Sequence, residues 1–186
     1  LISVGIVVVF FANIFSKDIM SIGYSIAGNI SETDKEAAPT RIAADPLRNF
    51  VIPRNAQWRT AYWLANEIPR RINDGLSLLR RHADSDTRLL VLALTDPFSF
   101  ALGLTPPKGV LAWWDLNYSF NEQAHPAPGL LFAEANYVMI PILRDEDKGC
   151  CQPTVHVLLD LYGQYLKAHF FEVGRSGSWI LMKRSA

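Results

Sequence analysis

Arg-Leu-Leu-Val-Leu-Ala-Leu-Thr-Asp, residues 88–96, decides how this chain folds. The run from Leu89 through Leu94 is apolar without a break, with Asp86, Thr87 and Arg88 before it and Thr95, Asp96 and Pro97 after it. A strand with one wet face alternates apolar and polar side chains. An unbroken apolar run of this length, bounded by turn-forming residues, reads as a strand buried on both faces. Such a strand has to be covered from both sides, and helical patterns stand before and after it. The expectation is therefore an α/β fold, a small and mostly parallel sheet flanked by helices with residues 89–94 as its first central strand.

Downstream, Thr95-Asp96-Pro97 reads as a helix start. Thr95 or Asp96 can accept from free backbone N–H groups, and Pro97 at the first helical position gives up a donor that had no partner there. Gly103 should close this short helix. Residues 110–115, Val-Leu-Ala-Trp-Trp-Asp, read as a second strand, residues 129–136 as a short helix and residues 137–143 as a third strand. Pro141 cannot donate to a ladder, so that strand lies near an edge or ends its pairing there. Thr154 then caps a helix whose buried stripe is Val155, Leu158, Leu159, Tyr162, Tyr165 and Leu166. Residues 170–183 form two strand-like runs around Ser176-Gly177, a C-terminal β-hairpin.

Upstream, Trp58, Ala61, Tyr62, Ala65, Ile68, Ile72, Leu76 and Leu79 recur at spacings of three and four, one face of a long helix over residues 55–83. Pro69 should kink it or split it. Arg59, Arg70, Arg71, Arg80 and Arg81 fall largely on the opposite face, which is either a solvated helix face or a surface suited to anionic head groups. Residues 1–15 carry no charge, and the run ends at Lys17-Asp18. As a helix it spans about 22 Å, short of the roughly 30 Å of a bilayer's hydrocarbon core. Residues 1–18 are accordingly expected to be the end of a truncated transmembrane helix, with a signal-peptide core or a buried strand as alternatives. Residues 19–54 are then a linker or interfacial segment, and residues 55–186 a soluble α/β domain.

Lys plus Arg and Asp plus Glu both total 18, so no net field draws nucleic acid to the chain, and a nucleic-acid partner is not expected. Cys150 and Cys151 are adjacent, either two thiols in a turn or a strained vicinal disulfide. His82, His125, His156 and His169 are too scattered for a ligand set, and His156 with Asp160 reads as a surface pair. No nucleophile elbow, phosphate-binding glycine loop or zinc-protease helix occurs. Neither metal, cofactor nor catalytic residue is expected. Asn29-Ile-Ser31 and Asn117-Tyr-Ser119 match the glycosylation sequon, which matters only in a eukaryotic secretory setting.

Ligands of open α/β sheets collect beyond the carboxyl ends of the strands. Asp96 follows the first expected strand and Asp115 the second, with Trp113, Trp114 and Asn117 beside it. An aromatic face next to a carboxylate is suited to a sugar ring, so Asp96, Trp113, Trp114, Asp115 and Asn117 are the candidate ligand-binding residues. The plainer reading is that Asp96 caps a helix and the tryptophans fill the core.

The run from Leu158 to Arg184, with residues 133–141 before it, resembles the closing part of large bacterial membrane proteins akin to the C superfamily of polyprenyl-phosphate-sugar glycosyltransferases. Phe98-Ser-Phe-Ala-Leu-Gly and Trp113-Trp114-Asp115 resemble uncharacterised relatives of that kind, and the likeness covers residues 85–186. It implies a C-terminal soluble α/β domain outside the cytoplasm, periplasmic or otherwise extracytoplasmic, beside a bundle of transmembrane helices. The family's catalytic carboxylates lie on a loop near the start of that bundle and match no residue here, so none is carried over. The implied function is accessory, positioning an acceptor or a lipid-linked sugar donor, with membrane lipid, a polyprenyl-phosphate sugar or glycan acceptor and protein subunits as partners. Two other readings stand beside it: a non-catalytic membrane-anchored interaction subunit, and a free-standing soluble enzyme.

Overall fold

A computed structural model describes residues 41–49, 59–111, 113–144 and 152–185, with the side chains of the first helix from residue 67 onward. Two compact units divide the chain, Leu1–Arg41 with Phe50–Pro69 and Ile42–Asn49 with Arg70–Ala186, and the sheet belongs wholly to the second. After a 3-10 turn at Asp45–Leu47 come α1 (Arg59–Leu79), β1 (Leu89–Val91), α2 (Pro97–Leu102), α3 (Pro128–Leu131), β2 (Tyr137–Pro141), α4 (Gln152–His169), β3 (Phe170–Arg175) and β4 (Trp179–Arg184).

The sheet runs β1-β2-β4-β3. β1 lies parallel to β2, with Leu89 opposite Tyr137 and Val91 opposite Met139. β4 is antiparallel to β2, placing Tyr137 opposite Lys183 and Pro141 opposite Trp179. β3 is antiparallel to β4, with a bulge between Glu172 and Gly174. The fold is α/β, but the sheet is mixed and not mostly parallel. The reason is the hairpin: strands joined by a tight turn can only be antiparallel, and its second strand inserts directly against β2.

Among the described residues of the 110–115 stretch none lies in a strand, a second departure from expectation. The Trp114 amide donates to the Leu94 carbonyl at 2.9 Å, but no ladder follows. The chain turns instead, with an isolated bridge between Leu116 and Phe120 and Asn117 in the left-handed region at φ 69°. β1 is likewise shorter than residues 89–94, and its ladder ends when the Leu92 amide donates to the Met139 carbonyl at 2.9 Å. α3 stops at Leu131. Thr154 lies inside α4, not at its cap, and its hydroxyl accepts from the Leu116 amide at 3.4 Å. Pro69 does not split α1, and Pro141 ends the pairing of a central strand. The proposed transmembrane segment 1–18, the linker 19–54 apart from residues 41–49, and Cys150 and Cys151 lie outside the described residues. Among the described residues no helix is long and apolar enough to cross a membrane.

Period-two alternation divides the sheet between two layers. Leu90, Leu92, Val138 and Ile140 pack with Leu158, Tyr162 and Leu166 of α4 and with Trp114, Phe120, Leu131 and Phe132. Leu89, Val91 and Met139 take the other side, where the C-terminal half of α1 buries Ile72, Leu76 and Leu79. Each fully buried leucine is worth about 1.5–3 kcal/mol. Gly75 is where α1 comes closest: a Cβ there would stand 2.5 Å from the Phe98 ring and 2.8 Å from the Met139 methyl. The Asp74 carboxylate beside it accepts from the Ser176 hydroxyl and the Ser178 amide, both at 2.7 Å, tying the β3–β4 turn to α1.

Gly75→Ala should therefore destabilise the domain by about 1–3 kcal/mol through overpacking. Gly129→Ala, where an added Cβ meets nothing within 4 Å, should not. Urea unfolding of the two variants side by side checks this, and equal midpoints would show that α1 does not pack this closely.

Candidate functional site

Asp96 is the N-cap of α2. Its Oδ1 accepts from the Phe98 amide at 2.9 Å and the Ser99 amide at 3.1 Å, and its Oδ2 from the Ser99 hydroxyl at 2.5 Å. Pro97 occupies the first turn, and Gly103, at φ 66°, closes the helix as the residue pattern predicts. The helix so fixed sets Phe98 edge-on to Trp179, with centroids 5.0 Å apart. With both oxygens engaged, the Asp96 carboxylate is committed to the fold.

The neighbouring tryptophans divide. Trp114 is 1% exposed and packs edge-on to Phe120, centroids 5.3 Å apart, and to Tyr162 at 6.3 Å. Its Nε1 is buried with no hydrogen-bond partner among the described residues. Trp113, by contrast, is 50% exposed. Trp114 and Phe120 therefore anchor the two ends of a turn whose middle faces solvent. Within that turn the Asp115 amide donates to the Ser119 hydroxyl at 2.8 Å, and the Asp115 carbonyl accepts from the Tyr118 amide at 3.0 Å and the Ser119 amide at 2.9 Å. The Asn117 amide donates to the Phe120 carbonyl at 2.8 Å. Asn117 is among the few non-glycine residues that adopt a left-handed backbone easily.

The backbone bond from Trp114 to Leu94 brings this turn to the carboxyl end of β1, the same end as Asp96. Of the five candidates, Trp113, Asp115 and Asn117 share the turn's surface, Trp114 belongs to the core and Asp96 to a helix cap. Tyr118, 85% exposed on the same turn, joins the first three. The residue pattern alone does not single out Tyr118. The signal that could have found it is its place between Trp114 and Phe120, two aromatics spaced to anchor a tight turn.

At the carboxyl end of β2 the polar groups serve the fold. Arg144 donates to the Gly177 carbonyl at 2.9 Å, and the Trp179 indole donates to the Arg71 carbonyl at 2.8 Å. A shallow open groove bounded by Arg80, Asp84, Ser85, Leu102, Gly103 and Leu104 lies between the ends of α1 and α2. Arg80, on its rim, donates to the Ala43 carbonyl at 2.6 Å. Under the turn, the Tyr162 hydroxyl donates to the Pro126 carbonyl at 3.0 Å, with His125 Nδ1 at 3.4 Å, and burial pushes its pKa up to about 12. No group of His, Cys, Asp and Glu among the described residues is placed to hold a metal ion. No family model, no curated protein and no solved structure matches the chain.

Asp96→Ala removes the acceptor for two helix N–H groups and should cost about 1 kcal/mol, whereas Asp96→Ser, which keeps a capping oxygen, should cost less. Thermal melts of both variants read the difference. For Tyr162 the folded pKa lies above the ordinary value, so its contribution is complete below pH 10 and is lost as pH rises from 10 towards 12, where the unfolded chain ionises first. Denaturation midpoints across that window should fall more steeply for the wild type than for Tyr162→Phe.

Proposed function

We propose that residues 55–186 are the accessory soluble domain of a membrane glycosyltransferase-like protein, lying outside the cytoplasm and positioning the acceptor or the lipid-linked sugar donor. The observation that carries this reading is the turn at residues 113–120. It presents two exposed aromatic side chains, Trp113 and Tyr118, with the Asp115 carboxylate between them in sequence, on a backbone held by its own hydrogen bonds. A pyranose ring has apolar C–H faces and hydroxyl edges. The faces lie against aromatic rings, and the edges donate to a carboxylate. The resemblance of residues 85–186 to the glycosyltransferase superfamily supplies the membrane setting, as does the uncharged run at residues 1–15. On this reading the domain performs no bond-breaking step: it lowers the cost of bringing a sugar to a catalytic site elsewhere in the parent protein.

Exposed Phe100 and Leu130, each 66% accessible, favour a second reading, an interaction subunit that docks another protein. The two readings part on one measurement. Titration with saccharides should shift the Trp113 indole resonance and leave that of buried Trp114 in place. Trp113→Ala should weaken binding about two- to tenfold without lowering thermal stability, since the side chain contributes little to the core. A turn that responds to no saccharide would sink the first reading.

A further inference from the structure

We infer that the end of the sheet where β1 and β2 begin is a docking surface for an anionic phospholipid bilayer. The observations are separate from the sugar reading of the 113–120 turn, which lies at the opposite, carboxyl end of β1. The Tyr137 hydroxyl donates to the His82 carbonyl at 3.1 Å, joining the end of α1 to the start of β2. Asn136 accepts from the Arg88 amide at 2.7 Å through its side chain, and from the Arg184 amide at 2.9 Å through its carbonyl. The Ser185 amide donates to the His169 carbonyl at 2.8 Å, which brings in the end of α4. These bonds gather Arg81, Arg88, Lys167, Lys183 and Arg184 at one end of the domain, in a chain whose net charge is zero.

Of the acidic residues on the same segments, Asp84 turns its Oδ1 to the Asp86 amide and the Thr87 hydroxyl, both at 3.1 Å, and Glu172 holds Arg175 at 2.7 Å and 3.0 Å. The cations outnumber what remains. A helix C-terminus attracts basic residues through its own dipole, which accounts for Lys167 in the last turn of α4 and for Arg81 just past α1. It does not account for Arg88 at the entry to β1, or for Lys183 and Arg184 at the end of β4. The register then sets Tyr137, Lys183 and Phe171 in one row across β2, β4 and β3, with the Lys183 Nζ 5.5 Å from the centre of the Tyr137 ring. Tyr137 is buried, whereas Phe171 is 51% exposed. A rim of cations beside an exposed aromatic ring suits a bilayer surface, where the charges meet lipid phosphates and the ring sits at headgroup level. A single-stranded nucleic acid would need successive exposed rings to stack on, and in this row only Phe171 is exposed.

The test uses the full chain with vesicles of phosphatidylcholine, with and without phosphatidylglycerol, and reads the ratio of the two affinities by co-flotation. Any contribution of the apolar run at residues 1–15 is common to both lipids. Phosphatidylglycerol should raise the affinity by about tenfold or more at about 0.1 M salt and by less than about twofold at about 1 M, as the screening length falls from about 10 Å to about 3 Å. Arg81→Gln and Lys183→Gln should each lower the ratio by about fivefold, and Lys183→Arg, which keeps the charge, should leave it unchanged. Arg184 is not varied, because its guanidinium also donates to the Ala135 carbonyl at 2.9 Å. In nanodiscs of the mixed lipid, a gadolinium-bearing headgroup should broaden the Phe171 and Ser185 amide resonances and spare the Trp113 indole. Equal affinity for the two lipids, or a ratio that neither glutamine variant changes, overturns the inference. So does broadening of Trp113 in place of Phe171, which would turn the other end of the sheet to the bilayer. A single-stranded RNA that displaces the anionic vesicles, and loses its own binding in the same two variants, would make this a nucleic-acid surface instead. Saccharide binding at the 113–120 turn bears on none of these outcomes.

Discussion

The parallel pairing of β1 with β2 is the constraint from which the rest of the domain follows, and one side chain sets its register. Asn136 Oδ1 accepts from the Arg88 amide at 2.7 Å, and its Nδ2 donates to the Asp86 carbonyl at 3.0 Å, so the residue that begins β2 also holds the entry to β1. Its backbone carbonyl takes the Arg184 amide at 2.9 Å, fixing the far end of β4 as well. A slip of one residue would exchange the faces of Leu90 and Val138, turning the surface that meets α4 towards α1. With the register held, the carboxyl ends of both parallel strands open at one edge, and the Leu94 carbonyl is in place to receive Trp114.

How much of this was legible depends on the range of the interaction. The doubly buried run at Leu89, Leu90 and Val91, the capped start at Asp96-Pro97, the stop at Gly103, the stripe Val155, Leu158, Tyr162 and Leu166, and the hairpin around Ser176-Gly177 are decided within a turn or two of chain. Strand order is decided elsewhere. Nothing in the composition of residues 179–184 says that they enter between β2 and β3, which requires β2 to meet a segment far along the chain. The apolar character of residues 110–115 misled for a related reason: Trp114 is buried as an anchor of a turn, and apolarity alone does not separate a strand from an anchor. The contact of Asp74 with Ser176 was beyond sequence reasoning for the same cause.

At the candidate site, core and surface cooperate. Trp114, Phe120 and Tyr162 form an edge-to-face cluster that fixes the ends of the turn, and the turn's own hydrogen bonds fix its middle. Trp113 and Tyr118 are thus presented on a backbone already ordered by its own hydrogen bonds, and preorganisation of that kind would reduce the entropy lost if a ligand bound there. The neighbouring Asp96, which the residue pattern makes look like a partner of Asp115, acts one step removed, by holding α2.

The position of β4 has a consequence for how the protein is made. Of the four strands of this sheet it is the last in chain order to leave the ribosome, yet it lies in the interior, between β2 and β3. Until residues 179–184 emerge, β2 presents a bare hydrogen-bonding edge carrying Val138, Met139 and Ile140, and β3 has no neighbour at all. The nascent domain must keep that edge from other chains until residues 179–184 have been made, so a chain cut within the hairpin would leave a species prone to aggregate and dependent on chaperones.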